Sequence, residues 1–428
     1  MATHEPPGRF QGGSRSALAR SFCNEPRVIV GAGLAGSAAA VALARGGAPP
    51  LLLERSAEAN PATLRLTSPA TRPRICGEFV STEAARALAG LGVDVLALGG
   101  RPTTRLRLTA GALTVEAALP FTAVGLTREA LDGALQRQAV VSGARLQRGE
   151  RVAVMEVASA SRPHRLRLSE GDEITTPTLL LACGKSDLAP LARRPRHPPE
   201  PLLGLQTHLV LAPAQARAIE GHVEVLLFED GYAGLQPVEG GRVNLCLLVQ
   251  RSLTRPDMAG GRAGPGHAPP GPERLQALLQ SLLQTLQREC PLLAERLQGA
   301  SWQDGPPQTI TGVPYGHLHR ASSGDPPGLW RLGDQAAVIP SFTGDGMAIA
   351  LHSAALAAEL LLEGSSAARY HQRLCSDIGL QMARATLLYR IGRNSTGRRA
   401  VMALLQRWPG LMGFIAAMTR VPPAALRF

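Results

Sequence analysis

A glycine-rich turn between a short apolar strand and an alanine-rich stretch constrains the fold of this chain most strongly. The turn, Gly31-Ala32-Gly33-Leu34-Ala35-Gly36, follows the β-branched run Val28-Ile29-Val30 and precedes a helix-forming segment that ends near Arg45. A second apolar run, Leu51-Leu52-Leu53, ends at Glu54, 18 residues after Gly36. This alternation of strand, helix and strand predicts a βαβ unit in a parallel sheet.

Each glycine of this turn has a separate role in binding a dinucleotide. Gly31 permits the tight turn, Gly33 lets a pyrophosphate approach the backbone, and Gly36 lets the helix pack closely on the strand. The helix N-terminus then faces the phosphates. Glu54 supplies an acceptor for ribose hydroxyls, which favours FAD or NAD over NADP. The residues that we expect to contact the dinucleotide are Gly31, Gly33, Leu34, Ala35, Gly36, Glu54 and Arg55.

The rest of the chain predicts a second, sheet-rich lobe. Strand-like runs are frequent between 151 and 249, among them 151–157 and 178–182. Helical spacing recurs in 81–91, where Ser81 is a candidate cap, in 126–139, where the helix begins near Thr127, and in 273–297. We therefore expect an α/β fold in which a Rossmann-like domain is joined to an α+β substrate lobe with a mixed sheet. The expected parts are a disordered tail (1–24), a discontinuous Rossmann-like domain (25–100, 127–185 and 325–365), a substrate domain (101–126 and 186–324) with a flexible insertion (257–272), and a helical C-terminal region (366–428).

Composition argues against several kinds of partner. The chain has 45 basic and 33 acidic residues, but the basic side chains are scattered among apolar segments, so we expect no nucleic-acid binding. The six cysteines lie far apart without zinc spacing, so we expect neither a disulfide framework nor a metal site. No signal-peptide core is evident before Asn24, which predicts a cytoplasmic location. The apolar run 408–419 is too short to span a bilayer and leaves peripheral membrane contact open.

A second set of motifs lies near the other end of the chain. Leu332-Gly333-Asp334-Gln335 is followed by Thr343-Gly344-Asp345-Gly346-Met347 and then by a long apolar helix. At these motifs the chain resembles the p-hydroxybenzoate-hydroxylase-like flavoproteins, which include aromatic-ring monooxygenases and geranylgeranyl reductases. The resemblance implies that Asp334 contacts the ribityl and pyrophosphate region of FAD. It also implies that Gly344, Gly346 and Met347 lie near the isoalloxazine, where a helix N-terminus can stabilise negative charge.

Two shorter segments resemble the same superfamily. The start of the helix at Leu126-Thr127-Arg128 is similar to one whose arginine reaches FAD, so the resemblance gives that role to Arg128. The segment from Arg74 to Phe79, with Cys76 inside it, resembles a loop that lies over the flavin in the reductase branch, so the resemblance makes Arg74 a candidate FAD contact. Cys76, Tyr315 and His317 are candidates for the substrate side, where a histidine can act as an acid or base. No residue is assigned as catalytic.

The resemblance implies a flavin-dependent oxidoreductase that uses FAD and acts on a small, hydrophobic molecule. A monooxygenase acting on an aromatic or polyketide-type substrate is favoured, because that chemistry is common among similar chains. A reductase of isoprenoid double bonds and a catalytically idle FAD-binding protein are the alternatives. NADH or NADPH is a possible electron donor, although Cys183-Gly184-Lys185 replaces the Asp-Gly pair that many hydroxylases use with NADPH. The oligomeric state is left open.

Overall fold

The structure is a computed structural model that describes residues 22–57, 75–195, 201–250, 271–302, 305–422 and 425. Ten α-helices lie within these ranges. They are α1 (Leu34–Arg45), α2 (Thr82–Gly90), α3 (Arg128–Val141), α4 (Pro213–Ile219), α5 (Pro272–Glu289), α6 (Pro291–Leu297), α7 (Gly346–Leu362), α8 (Ala367–Arg393), α9 (Ser395–Arg407) and α10 (Leu411–Met418).

A five-stranded parallel sheet forms the centre of the first lobe, as the βαβ pattern predicts. Side chains alternate between two buried faces, because helices cover one face and a second sheet covers the other. Ile29, Leu52 and Leu180 pack with α1 and α7, whereas Val28 and Leu53 point to the opposite core. The strands, in spatial order, are β19 (Leu329–Arg331), β11 (Leu179–Leu181), β2 (Val28–Val30), β3 (Leu51–Glu54) and β7 (Arg145–Arg148).

The second core of this lobe is closed by a four-stranded sheet. Its strands, in spatial order, are β1 (Phe22–Asn24), β10 (Glu173–Thr176), β9 (His164–Leu168) and β8 (Val152–Glu156). The expectation that 1–24 is wholly a disordered tail is wrong at its end, because β1 pairs in parallel with β10. Residues 1–21 lie outside the described residues.

A nine-stranded mixed sheet forms the second lobe. Period-two alternation in its strands separates an apolar face from a polar one. Leu203, Leu205 and Leu209 pack against α5 and α6, while Gln206 and His208 lie on the other face. The strands are β4 (Phe79–Val80), β5 (Arg101–Ala110), β6 (Leu113–Gly125), β12 (Leu202–Val210), β13 (His222–Phe228), β14 (Gly231–Pro237), β15 (Val243–Gln250), β16 (Ser301–Trp302) and β17 (Gln308–Thr311).

Local signals for helix ends are confirmed, with one exception. Ser81 and Thr127 accept hydrogen bonds from the backbone amides of Ala84 and Ala130, which caps α2 and α3. The single helix expected over 273–297 is instead two, because Pro291 has no amide hydrogen and starts α6 after Cys290. Most of the expected insertion 257–272 lies outside the described residues. None of the described helices is long and apolar enough to cross a membrane.

Candidate active site

The glycine turn lies at the carboxyl ends of β2 and β11, where open α/β sheets bind ligands. Gly31 has φ 106°, and a Cβ on it would lie 2.5 Å from the carbonyl oxygen of Ala182. A Cβ on Gly36 would lie 1.9 Å from the carbonyl oxygen of Gly31. Both positions therefore require glycine. Gly33 is the N-cap of α1 and has no side chain to cap the helix, so the first-turn amides can face a phosphate.

Glu54 ends β3 beside this turn. Its carboxylate is buried and accepts hydrogen bonds from the backbone amides of Ala32 (2.9 Å) and Ser56 (3.1 Å). The neighbouring Arg55 is exposed. The side chains of Leu34 and Ala35 are buried in the core, so only their backbone can contact a ligand. The open helix N-terminus, the bare Gly33 and the acidic strand end together fit the pyrophosphate and ribose of a dinucleotide.

Asp334 follows β19 at the same edge, in a 3₁₀ turn that a buried arginine holds in place. Arg193 donates to the carbonyl oxygens of Asp334 (3.1 Å) and Lys185 (2.6 Å) and to the Asp187 carboxylate (2.8 Å). Gln335 donates to the carbonyl oxygens of Gly184 and Ser186. The Gly-Asp motif is therefore fixed to the segment after β11, the same segment in which the Asp-Gly pair of hydroxylases is missing. Sequence reasoning missed Arg193, and no local pattern marks it.

The Gly344 turn leads into α7. Gly344 has φ 67°, and a Cβ on it would lie 2.6 Å from Cδ1 of Phe79. Gly346 is exposed and starts α7, whereas the Met347 side chain is buried, so Met347 offers only its backbone. No side chain caps α7, because the carboxylate of the N-cap residue, Asp345, points elsewhere. The helix N-terminus is open to a ligand, as the motif implies.

Asp345 is a buried residue that the sequence did not single out. Its carboxylate accepts hydrogen bonds from Gln381, from the Val421 amide (2.9 Å) and from the Arg420 guanidinium (3.2 Å). Burial raises the pKa of Asp345 to about 7, and the charge of Arg420 opposes that rise. These contacts tie the Gly344 turn to α8 and to the segment after α10.

The loop from Ile75 to Phe79 connects the two lobes. Lys185 Nζ donates to the Ile75 carbonyl oxygen (2.5 Å), and the Cys76 amide donates to Gln206 Oε1 (2.9 Å). The Cys76 carbonyl oxygen accepts from Asn244 Nδ2 and from the Cys246 thiol, both at 3.0 Å. The loop is thus held over the junction of the lobes by Lys185 from the first lobe and three polar side chains from the second.

Glu78, at the centre of this loop, is buried and has φ 54°. One carboxylate oxygen accepts from the Arg128 amide (3.1 Å), and the other lies 2.7 Å from His208 Nε2 in a hydrogen bond. Phe79, the next residue, contacts the Gly344 turn. The Glu78–His208 pair therefore lies next to the expected flavin site. The alternation of apolar and polar residues along β12 is the sequence signal for Gln206 and His208. It places both side chains on the face opposite the apolar core, where polar groups need hydrogen-bond partners.

Arg128 starts α3 at this point, and Nη2 of its guanidinium donates to both carboxylate oxygens of Asp132 (2.9 and 3.1 Å). Burial disfavours its charge, but Asp132 and the nearby Cys76 hold the pKa of Arg128 above its usual value. The guanidinium is therefore charged and already bound to its own helix, so contact with FAD stays a prediction. Arg74 lies outside the described residues.

Tyr315 and His317 occupy different environments. The Tyr315 hydroxyl lies 2.7 Å from Ser341 Oγ, which also bonds the Tyr232 hydroxyl, on the substrate-lobe side of the Gly344 turn. His317 is buried, and burial together with the charge of Arg193 lowers its pKa to about 4. His317 is thus neutral at pH 7, and its role as an acid or base on the substrate side stays a prediction.

Comparisons with known proteins agree with this geometry, although no protein-family model matches the chain. Menaquinone reductase of Mycolicibacterium smegmatis is 25% identical over 349 residues, which are 79% of this chain and 76% of that protein. Menaquinone reductase of Mycobacterium tuberculosis (strain H37Rv) is 27% identical over 352 residues, with coverages of 78% and 76%.

Three solved structures are similar over nearly the whole chain. Flavin-dependent brominase Bmp2 has a TM-score of 0.68 at 15% identity, covering 94% of this chain and 96% of that one. PqsL of Pseudomonas aeruginosa, a probable FAD-dependent monooxygenase, has a TM-score of 0.63 at 17% identity, covering 89% of this chain and 100% of that one. A geranylgeranyl bacteriochlorophyll reductase-like protein of Thermoplasma acidophilum has a TM-score of 0.62 at 16% identity, covering 95% of each chain.

The chain therefore has the fold of the FAD-dependent oxidoreductases of the p-hydroxybenzoate hydroxylase and geranylgeranyl reductase type. The resemblance inferred from the motifs is confirmed at this level, and so is the α/β fold class. The solved structures that share this fold include a flavin-dependent brominase, a probable FAD-dependent monooxygenase and a reductase-like protein.

Proposed function

We propose that this protein is an FAD-dependent reductase that saturates a carbon–carbon double bond of an isoprenoid lipid, such as the side chain of a quinone. The observation that carries the proposal is the 75–79 loop, which holds the buried Glu78–His208 pair against the Gly344 turn. The relatives named menaquinone reductase and the geranylgeranyl reductase-like structure support this choice over oxygenation.

The residues that would hold FAD are those at the carboxyl edge of the parallel sheet. The amides after Gly33 would face the pyrophosphate, Glu54 would accept from the ribose, and the turn from Gly344 to Met347 would face the isoalloxazine. Bound FAD, once reduced, supplies a hydride. In that reaction one alkene carbon receives the hydride and the other receives a proton.

The Glu78–His208 pair would supply that proton. Glu78 is buried and fixed by the Arg128 amide, so the carboxylate orients the imidazole of His208. Around the pair, the polar face of the nine-stranded sheet and the 75–79 loop would exclude water from the reacting carbons. The proton would be replaced from solvent, to which the side chain of His208 is partly exposed.

A mass measurement tests the reaction. Purified protein is loaded with FAD, reduced with dithionite without oxygen, and incubated with a menaquinone bearing an unsaturated side chain. A gain of two hydrogens in the side chain is expected. Because dithionite also converts the ring to a quinol, the product is reoxidised in air before its mass is measured. No gain of two hydrogens after reoxidation, with any polyprenyl substrate, would overturn the proposal.

Two matched variants test the role of the pair. Glu78→Gln is expected to lower kcat about 100-fold or more, with a changed pH profile, while FAD binding is retained. Glu239→Gln is the control, because Glu239 likewise accepts a hydrogen bond at the start of α3, from the amide of the cap residue Thr127 (3.0 Å). Equal losses of kcat in both variants would mean that Glu78 only supports the start of α3.

Monooxygenation is the second candidate. Tyr232, Tyr315 and Ser341 meet beside the Gly344 turn, and Tyr315 also contacts the ring of Tyr389. This aromatic cluster suits a planar, phenolic substrate, and the structural similarity to PqsL agrees with it. Aerobic turnover with NADH or NADPH that adds one oxygen atom to a phenolic compound would favour this candidate over the reductase.

A further inference from the structure

The charge of the chain is concentrated at its C-terminal end. After Asp377 the sequence contains eight arginines and no acidic residue. Most of those on α8 and α9 are exposed, among them Arg384, Arg390, Arg399 and Arg407. These helices therefore present a strongly positive surface, which attracts anionic partners.

Large apolar side chains are exposed on the same helices. Leu380, Leu387 and Ile391 are 64%, 60% and 37% exposed, and their spacing of seven and four places them on one face of α8. Trp408, at the end of α9, and Phe414 on α10 are 56% and 59% exposed. The guanidinium of Arg407 lies over the Trp408 ring, 5.5 Å from its centroid.

The fold does not need these exposed side chains for its core. The inner faces of α9 and α10 are already buried, because Met402, Leu405 and Met412 pack against Val115 and Ala117 of β6. On α8 the buried face is separate and includes Ile378 and Met382. Exposed apolar side chains rimmed by charge mark interaction surfaces.

We propose that the outer faces of α8, α9 and α10 dock on a lipid bilayer that contains anionic headgroups. The arginines would contact the headgroups, and Trp408 and Phe414 would insert at the boundary with the acyl chains, where aromatic rings are favoured. The charge selects this partner, because a second copy of the chain would place one arginine-rich surface against another. The proposal goes beyond the reductase reaction and does not depend on it.

Vesicle sedimentation with the full chain tests the proposal. Vesicles of phosphatidylcholine with phosphatidylglycerol are expected to bind the protein, and vesicles of phosphatidylcholine alone are expected to bind it much less. Raising the salt concentration should release it. An arginine near an anionic surface contributes about fivefold to binding, so Arg390→Gln/Arg399→Gln should reduce the partition coefficient about 30-fold. Trp408→Ser/Phe414→Ser should reduce it at least about tenfold.

Controls of similar exposure lie elsewhere in the described part of the chain. Leu96→Ser/Val141→Ser removes exposed apolar side chains, and Arg151→Gln/Arg162→Gln removes exposed arginines. Both should bind like the parent protein, and circular dichroism and the melting temperature check that every variant is folded. An equal fall of the partition coefficient in the control pairs, or binding that does not depend on the charge of the lipid, would overturn the proposal. So would a dimer, seen by light scattering, that Trp408→Ser/Phe414→Ser converts to a monomer.

Discussion

Replacement of Gly344 by alanine should destabilise the protein for two reasons that can be separated. Alanine at φ 67° costs about 1–2 kcal/mol. The added Cβ would also lie 2.6 Å from the Phe79 ring, and overpacking of this kind costs about 1–3 kcal/mol. We expect Gly344→Ala to lower the free energy of unfolding by about 2–5 kcal/mol, measured by urea unfolding with circular dichroism.

Gly346→Ala, two residues away, is the matched control. The nearest atom to its added Cβ would be 4.0 Å away, and the residue begins α7, so the free energy of unfolding should stay constant or rise by up to about 1 kcal/mol. In a Phe79→Leu background, Gly344→Ala should lower the free energy of unfolding only by the cost of its backbone conformation, about 1–2 kcal/mol. The reasoning is refuted if the two glycine variants lose the same stability, or if Phe79→Leu leaves the cost unchanged.

Three further predictions concern the same site. Gly33→Val should abolish FAD retention by blocking the pyrophosphate, whereas Gly379→Val, in open space on α8, should keep the ratio of flavin to protein absorbance. The pKa of His317 is about 4 in the folded protein and 6.5 in the unfolded chain, so the unfolded chain binds the proton more readily. The free energy of unfolding is therefore highest above pH 6.5 and falls by about 3 kcal/mol on acidification to pH 4. In His317→Gln the urea midpoints should vary less across that pH range. Arg193→Met should lower the free energy of unfolding, measured with urea, by about 3 kcal/mol. Arg194→Met, at an exposed position, should leave it almost unchanged.

Local features of the fold could be predicted because their causes are local. The glycine turn, Glu54 at the end of β3, and the Ser81 and Thr127 caps all depend on residues within one βαβ unit or one helix turn. The expected strand 151–157 is observed as β8, and 178–182 as β11, with ends shifted by about one residue.

Contacts between distant segments could not be predicted. His208 and Glu78 are 130 positions apart, and Arg193 and Asp334 are 141 apart. No sequence period connects them, since each pair depends on how the two lobes and the strand-connecting segments pack. The β5–β6 hairpin was also missed, although the alternation Arg105-Leu106-Arg107-Leu108 and the turn at Gly111, with φ 59°, are its signals.

The contacts of Asp345 also connect the order of synthesis to the assembly of the cofactor site. The turn that would face the flavin is held by Arg420 and Val421, which follow Asp345 by 75 and 76 positions. A nascent chain, or a product truncated after α10, lacks both partners and leaves a buried carboxylate without its cation. Flavin capture should therefore follow the synthesis of residues 420 and 421, and a truncation between α10 and Arg420 acts on the cofactor site.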